Sequence, residues 1–195
     1  MLKRTFDIFA SLCGVILSAP LLLGAALAVR LTSRGPVFFR QQRIGRNFVP
    51  FSIVKFRTMV VDAPRLGGPL TQGSRDPRIT PVGRILRRTK IDELPQLWNV
   101  LCGEMSLVGP RPEVAKYVEM FRQDYAEILQ IRPGITDPAS IKYRNEAAEL
   151  EKGIDPEAEY VGRILPDKIA LAKQYLRDSS FWYDLSLLWH TAFSR

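Results

Sequence analysis

The chain has 195 residues, of which 46% are hydrophobic and 25% are charged, and its formal net charge is +8. This apolar content excludes a disordered chain, and the length predicts one folded domain or a small domain with an anchor. Two cysteines, Cys13 and Cys102, are too few for a disulfide framework and lack the spacing of a zinc site. Residues 1–90 hold 16 basic and three acidic residues, whereas residues 91–195 hold 12 and 17. The first half is therefore the one expected to bind phosphate groups.

The first predicted element is an uncharged apolar run of 22 residues, from Ile8 to Val29, which is long enough for a helix that spans a bilayer. Pro20 lies at its middle, two residues after Ser18, and predicts a break in the helix. The basic residues that flank the run are Lys3, Arg4, Arg30 and Arg34. Because basic flanks favour the cytoplasmic side, the pattern predicts a re-entrant membrane anchor over residues 1–34, with both ends on that side.

Two other interpretations of this run stay open from the residues alone. A single proline is tolerated in a straight membrane-spanning helix when neighbouring groups satisfy the freed backbone. The small residues Ala26-Leu27-Ala28 after an apolar core also fit a cleavable signal peptide.

The rest of the chain, residues 35–195, is predicted to be a compact cytoplasmic body of mostly helical α/β class. Half-alternating aromatic stretches near residues 37–41 and 51–56 predict a β-hairpin with its turn near residues 45–47. A glycine-rich segment at residues 66–73 predicts a surface loop.

Two predicted helices follow this loop. The first runs from Pro81 to Arg88, and the second is predicted from apolar residues three and four positions apart. Those apolar residues are Leu94, Leu97, Trp98 and Leu101.

Asp92 and Glu93 open the second of these helices, directly after a basic cluster. The helix dipole and nearby arginines favour an ionised carboxylate there. Such a group can attack phosphorus or ligate Mg²⁺. The same residue types are also preferred at helix starts for structural reasons, so both roles stay open at this point.

Arg111 lies between Pro110 and Pro112, whose fixed φ angles stiffen the backbone on both sides. An arginine held in this way is suited to planar, bidentate binding of phosphate oxygens. The alternative is a proline-rich loop that only changes the chain direction.

Seven short motifs occur along the chain in the order seen in a known family. They are Lys3-Arg4 with Phe6-Asp7, Gln42 to Gly45, Lys55 to Met59, Asp76 to Thr80 with Gly83-Arg84, Asp92 to Leu97 with Asn99 to Leu101, Met105 to Pro112, and Arg132 to Thr136. By these motifs the chain resembles, over nearly its whole length, the monotopic phosphoglycosyl transferases of the bacterial sugar transferase family.

The resemblance implies an enzyme that transfers a sugar phosphate from a UDP-sugar to a polyprenyl phosphate such as undecaprenyl phosphate, with release of UMP. It implies a ping-pong reaction in which Asp92 forms an aspartyl-phosphosugar intermediate, Mg²⁺ lies near Asp92 or Glu93, and Arg87 and Arg111 bind phosphate. It also implies a re-entrant helix broken at a proline, here Pro20 with Ser18 before it. The expected location is the cytoplasmic face of the bacterial inner membrane, among inner-leaflet phospholipids, and a homo-oligomer is compatible with it.

The family also has an acidic residue towards the C-terminus, for which Asp167 is the nearest candidate while spacing from Ser180 gives Ala172 instead. The segment from Phe181 to Phe193 has an apolar face with two tryptophans, which fits either an interfacial helix or core packing. His190 is the only histidine and has no predicted role.

Two alternative functions can be stated. Basic residues interleaved with phenylalanines could bind single-stranded nucleic acid, although we expect no nucleic-acid partner. A membrane scaffold with degenerate catalytic residues is the other alternative. Release of UMP from a labelled UDP-sugar would identify the enzyme and exclude both alternative functions. The sequence predicts neither the sugar nor the pathway.

Overall fold

The computed structural model describes residues 2–66, 76–150 and 155–193. Its α-helices are α1 (Leu2–Thr32), α2 (Ala63–Leu66), α3 (Pro81–Thr89), α4 (Gln96–Cys102), α5 (Ala115–Met120), α6 (Arg122–Ile128), α7 (Pro138–Lys142), α8 (Glu146–Leu150), α9 (Pro156–Glu159), α10 (Leu165–Asp178) and α11 (Phe181–Phe193). Its strands are β1 (Phe38–Ile44), β2 (Pro50–Phe56), β3 (Ser106–Val108) and β4 (Gly134–Thr136). Short 3-10 turns occupy Arg46–Phe48 and Ile91–Glu93, and a π-helical turn occupies Tyr160–Ile164. The predicted mostly helical α/β fold is confirmed. Of the predicted loop at residues 66–73, only Leu66 is among the described residues.

The apolar run lies within one helix, α1, which contains Pro20. A proline removes only one backbone hydrogen bond, and Ser18 Oγ donates to Gly14 O at 2.6 Å in the preceding turn. The predicted break at Ser18 and Pro20 stays a prediction, since a helix can bend sharply at a proline without ending there. By length and composition α1 could cross a membrane, and its re-entrant path stays a prediction.

The N-terminal half of α1 is fastened to the body by polar contacts. Asp7 is buried and accepts hydrogen bonds from Ser106 Oγ at 2.8 Å and from Leu107 N at 3.2 Å. Arg4 donates to Val100 O at 2.7 Å and to Leu101 O at 3.2 Å. These bonds join residues about a hundred positions apart and fix the start of α1 against β3 and α4.

The C-terminal half of α1 packs on the same body. Ala25 and Val29 form a buried cluster with Phe56 of β2 and Leu86 of α3. Just beyond the helix, Arg57 donates to Ser33 O at 2.8 Å and to Arg34 O at 2.5 Å. Both ends of α1 are thus held by the body. The other side of the helix exposes large apolar residues, namely Phe9, Leu12, Ile16, Leu17, Leu21, Leu23, Leu27 and Leu31.

The predicted hairpin is confirmed, with β1 and β2 antiparallel and in register from Phe38↔Phe56 to Ile44↔Pro50. The predicted turn region holds the 3-10 turn Arg46–Phe48, in which Asn47 has a φ of 56°. Lys55 lies near the end of β2, and Arg57 and Thr58 follow the strand. Arg57 contacts the residues just after α1, and Thr58 contacts α3.

A second, parallel pair of strands was not predicted. Ser106 of β3 pairs with Gly134 of β4, and Val108 pairs with Thr136. A Cβ atom at Gly134 would lie 2.1 Å from Gly109 N, so this close approach requires glycine. The strands have three residues each, which is too short to show a period of two in the sequence.

The two predicted helices that surround the acidic pair are present as α3 and α4. Thr80 caps α3, and its Oγ1 accepts from Gly83 N at 2.9 Å. The acidic pair does not open α4, however, because it occupies a separate 3-10 turn and α4 begins only at Gln96. The prediction that the pair occupies the N-terminus of α4, and so lies directly at the positive end of its dipole, is therefore wrong.

The C-terminal half builds a core between α5, α6 and α10, and α11 lies beside β3 and β4. In α11, Asp184 and Leu187 face inwards, whereas Trp182 and Trp189 are 75% and 63% exposed. The interpretation that these two tryptophans pack in the core is therefore wrong. An interfacial role for α11 stays a prediction.

Candidate active site

Asp92 lies in the 3-10 turn between α3 and α4 and is only 7% exposed. Its Oδ1 atom is buried and has no hydrogen-bond partner among the described residues. Burial, together with the negative charge of Glu93, raises the pKa of Asp92 above the usual aspartate value, although Lys55 and Arg87 oppose this shift. Asp92 is thus a desolvated carboxylate with little stabilisation of its charge.

Glu93, the next residue, is in the opposite situation. Its Oε1 accepts from Lys55 Nζ at 2.7 Å and from Arg111 Nη2 at 2.5 Å, and its Oε2 accepts from Arg111 Nη1 at 3.3 Å. Burial alone would raise the pKa of Glu93, but Arg111 and Lys55 hold it well below the usual glutamate range. At least one carboxylate of the pair is therefore ionised at neutral pH, as the sequence predicts.

The fold fixes Arg111 through its backbone. Asp137, the N-cap of α7, accepts a hydrogen bond from Arg111 N at 3.1 Å. On either side of the loop, Gly109 N donates to Thr136 O and Gly134 N donates to Pro110 O, both at 3.0 Å. The unpredicted β3–β4 pair is therefore what aims Arg111 at Glu93.

A buried cluster behind this loop holds it from the other side. Arg43 Nη1 donates to Pro112 O at 3.1 Å and to Glu113 Oε2 at 3.2 Å. Tyr160 of the π-helical turn donates its hydroxyl to Glu113 Oε1 at 2.5 Å. The sequence indicates Arg43 only as part of a motif and does not predict a role for Glu113 or Tyr160. No local pattern joins these three residues, which are far apart along the chain.

Arg87 approaches from α3. Its Nε donates to Thr58 Oγ1 at 2.8 Å. Glycine at position 83 allows α3 to come this close to Thr58, since a Cβ there would lie 2.1 Å from Thr58 O. Burial lowers the pKa of Arg87, and the nearby Asp92 opposes that shift. Asp92 therefore lies in the electrostatic field of this arginine, as the sequence predicts.

The structure thus brings the four predicted residues Asp92, Glu93, Arg87 and Arg111 into one site. It adds Lys55, whose ammonium group bonds to Glu93 and whose pKa is lowered chiefly by burial. The signal for Lys55 was its place in a family motif, since nothing local indicates its partner.

Neither candidate for the C-terminal acidic residue bonds to the acidic pair among the described contacts. Asp167 accepts from Lys142 Nζ at 2.7 Å and from Tyr143 OH at 2.8 Å, and Ala172 is part of the apolar core. The buried acid of this region is Asp184, which accepts from Tyr175 OH at 2.6 Å and also pairs with Lys3. It joins α11 to the start of α1.

The described residues contain no group of three or more His, Cys, Asp or Glu side chains that could hold a metal ion. Mg²⁺ commonly binds through one or two carboxylates together with substrate phosphates. The adjacent carboxylates Asp92 and Glu93 fit that arrangement, and they do not form a metal site by themselves.

The whole chain, residues 1–195, matches the model of the family described as bacterial sugar transferase. It is 39% identical over 198 residues to the UDP-glucose:undecaprenyl-phosphate glucose-1-phosphate transferase of Escherichia coli (strain K12), with 99% of this chain and 40% of the relative covered. The protein of the same name from Caulobacter vibrioides is 42% identical over 194 residues, with 97% and 67% covered.

The undecaprenyl-phosphate galactose phosphotransferase of Salmonella typhimurium is 35% identical over 205 residues, with 98% of this chain and 40% of the relative covered. The chain therefore spans less than half the length of two of these three relatives. The match over the full chain, together with the clustered acidic and basic residues of the site, shows that the chain belongs to the bacterial sugar transferase family.

Proposed function

We propose that the chain transfers a sugar phosphate from a UDP-sugar to undecaprenyl phosphate, giving undecaprenyl diphosphate sugar and UMP. The observation that carries this proposal is the buried, poorly stabilised Asp92 beside the Glu93–Arg111–Lys55 ion pairs and Arg87. Such a site offers a nucleophile and several cations for a diphosphate. The acceptor is proposed because the matched relatives are named for it.

Asp92 is proposed as the nucleophile in two in-line displacements at one phosphorus. In the first, an Asp92 oxygen bonds to the β-phosphorus of the UDP-sugar, the bond from that phosphorus to the bridging oxygen breaks, and UMP leaves with the electron pair. In the second, an oxygen of undecaprenyl phosphate bonds to the same phosphorus and the bond to Asp92 breaks. The carboxylate is regenerated, and the sugar phosphate ends on the lipid.

Glu93 is less suited to this attack because both of its oxygens are in ion pairs with cations. Asp92 keeps an unpaired oxygen and has a raised pKa, and the more basic carboxylate of the two is the better nucleophile. We assign Glu93 to holding Lys55 and Arg111 in place before the donor binds.

The arginines would stabilise the charge that moves during the reaction. Arg111 presents a planar fork that can bind two phosphate oxygens, and Arg87 lies on the Asp92 side of the site. Mg²⁺, if bound with the donor through Asp92 or Glu93, would supply further neutralisation of the diphosphate charge.

We propose that α1 is a re-entrant anchor at the cytoplasmic face of the bacterial inner membrane, among the phospholipids of the inner leaflet. Its first half bonds to β3 and α4, and its second half packs on β2 and α3, all of one body. A helix that crossed the bilayer would have to leave that body at one end. The exposed leucine face would contact lipid, and α11 would lie beside it because Phe6 and Phe181 stack edge-to-face at 5.4 Å.

The anchor is tested by cysteine labelling from the cytoplasmic side, in a chain whose Cys13 and Cys102 are replaced by serine. Single cysteines within residues 2–5 and within residues 34–40 should both react. If the first group reacted only from the outside, α1 would span the membrane and the re-entrant proposal would be wrong.

The reaction is tested with purified protein, Mg²⁺ and a panel of labelled UDP-sugars that begins with glucose, galactose and N-acetylgalactosamine, the sugars in the names of matched relatives. Donor alone should release UMP and add the mass of a phosphosugar to the peptide that contains Asp92. Undecaprenyl phosphate should then remove that mass and become labelled. Intersecting initial-rate lines together with no trapped adduct would contradict the two-step mechanism, and no lipid product with any sugar would contradict the function.

A further inference from the structure

Glu113 is a buried acid that follows Arg111 by two residues, and both of its carboxylate oxygens accept hydrogen bonds. Its Oε1 accepts from the Tyr160 hydroxyl at 2.5 Å. Its Oε2 accepts from Arg43 Nη1 at 3.2 Å and from Val114 N at 3.1 Å. Glu113 therefore joins β1 and the π-helical turn to the chain just after Arg111.

These bonds reach Arg111 through the backbone. Arg43 Nη1, which Glu113 holds, also donates to Pro112 O at 3.1 Å, and that carbonyl belongs to the residue directly after Arg111. The prolines on both sides of Arg111 fix two φ angles of the segment and restrict the residue between them. A shift of the Pro112 peptide is therefore passed on to Arg111, because the stiff segment cannot absorb it.

Tyr160 holds this cluster from the side of the core. It is the first residue of the π-helical turn and is only 2% exposed, and such turns are rare and recur at functional sites. Its ring packs on Tyr117 at 4.9 Å, so the ring is held independently of its hydroxyl. Among the described contacts, the Tyr160 hydroxyl is the donor that satisfies Glu113 Oε1. Removal of the hydroxyl alone would leave that buried oxygen without its donor.

The same hydroxyl separates a buried anion from a buried cation. Lys168 Nζ donates to Tyr160 OH at 3.4 Å and also pairs with Glu146. Glu113 and Lys168 thus contact the hydroxyl from different sides. Without it, the two charges attract each other directly, and this attraction is strong where water is excluded. The Glu113 carboxylate would then turn away from Arg43.

We propose that Tyr160 and Glu113 are positioning residues for Arg111. The Tyr160 hydroxyl holds the Glu113 carboxylate on Arg43, and Arg43 holds the peptide that follows Arg111. In this arrangement the Arg111 fork contacts both oxygens of Glu93. The same orientation presents the fork to the donor diphosphate, and the inference rests on the proposed function only for this last step.

The direct test is Tyr160→Phe, which removes the hydroxyl and keeps the ring. The matched control is Tyr117→Phe, because the Tyr117 hydroxyl is buried in the same cluster and has no partner among the described residues. In the whole chain, labelled with isotopic arginine and studied in detergent, NMR follows the Arg111 Nε–H signal, which is assigned by its loss in Arg111→Lys. The signal should shift and report faster motion in Tyr160→Phe and stay unchanged in Tyr117→Phe. An unchanged Arg111 signal in folded Tyr160→Phe overturns the inference.

Glu113→Gln tests the same contacts if Tyr160→Phe does not fold. Its amide nitrogen replaces one acceptor oxygen by a donor, so the side chain cannot accept from Tyr160 and Arg43 at its two ends. The Arg111 signal should therefore shift in this variant as well, and an unchanged signal overturns the inference. Glu119→Gln, the same change at an exposed position of α5, should leave the signal unchanged.

Kinetics connect the positioning to the reaction. Single-turnover release of UMP from donor alone, and kcat/KM for donor, should both fall roughly tenfold in Tyr160→Phe. In an Arg111→Lys background the same change should lower them by less than about twofold, because no planar fork is left to position. An equal loss in both backgrounds would mean a general weakening of the fold and overturns the inference. If the Arg111 signal responds as expected but the wild-type protein releases no UMP, the positioning stands and the proposed function fails.

Discussion

Asp7 and Asp92 are both buried aspartates, at 3% and 7% exposure, yet their surroundings differ. Asp7, where α1 meets the body, has both oxygens paired, one with Ser106 Oγ and one with Leu107 N. Asp92, in the 3-10 turn between α3 and α4, has a buried oxygen without a described partner. The carboxylate that joins two elements is fully bonded, whereas the one proposed as the nucleophile has an oxygen without such partners.

The comparison predicts its largest effect at Asp92. In Asp92→Asn the amide cannot attack phosphorus, so lipid-linked product should fall at least about a thousandfold. Its melting temperature should not fall, because the variant removes a poorly stabilised charge. Product above that level, or a large loss of stability, would show that Asp92 resembles Asp7 instead.

Arg111→Lys should lower kcat/KM by roughly ten- to a hundredfold, because a point charge cannot reproduce the planar fork that contacts both oxygens of Glu93. Steady-state kinetics with varied donor and varied acceptor measure the effect. The matched control is Arg122→Lys, whose exposed arginine pairs with the exposed Glu119 three residues before it and which should show normal kinetics. Unchanged kinetics in Arg111→Lys would remove this residue from the site.

Asp7→Asn should have the opposite profile, with lower stability and an intact chemical step. Replacing a carboxylate that accepts two buried hydrogen bonds should reduce the free energy of unfolding by about 1–3 kcal/mol. Denaturation in detergent measures this, with the exposed Asp178→Asn as control. A stable variant would mean that apolar packing at the other end of α1 suffices to hold it.

The smallest effect is a difference in pH dependence between the two adjacent carboxylates, Asp92 and Glu93. Because the pKa of Asp92 is raised above 3.8, UMP release should decline at a higher pH than for an ordinary aspartate. Glu93 has a lowered pKa, so its ion pairs stabilise the fold above the ordinary value of 4.5 and are lost as the pH falls through the lowered value. Melting temperatures of Glu93→Gln and wild type should therefore differ at neutral pH and converge in strong acid.

Local patterns in the sequence were sufficient for several elements. The hairpin forms where two half-alternating aromatic stretches and the turn residues between them predict it, and α3 begins at the predicted Pro81. The family resemblance also implied roles for Asp92, Glu93, Arg87 and Arg111, which the structure brings together. These features depend on neighbours within a few positions or on short ordered motifs, and a single sequence displays both.

The sequence by itself thus determined the apolar N-terminal helix, the hairpin, the family and the acidic and basic residues that cluster in the candidate site. Only the tertiary structure decided that both halves of α1 pack on the body, that β3 pairs with β4 behind Arg111, and that Lys55 bonds to Glu93. It alone paired Asp7 with Ser106, 99 positions away. Such contacts have no repeating signal along the chain, because they depend on how distant elements pack and on which buried polar groups then lack water and must find each other.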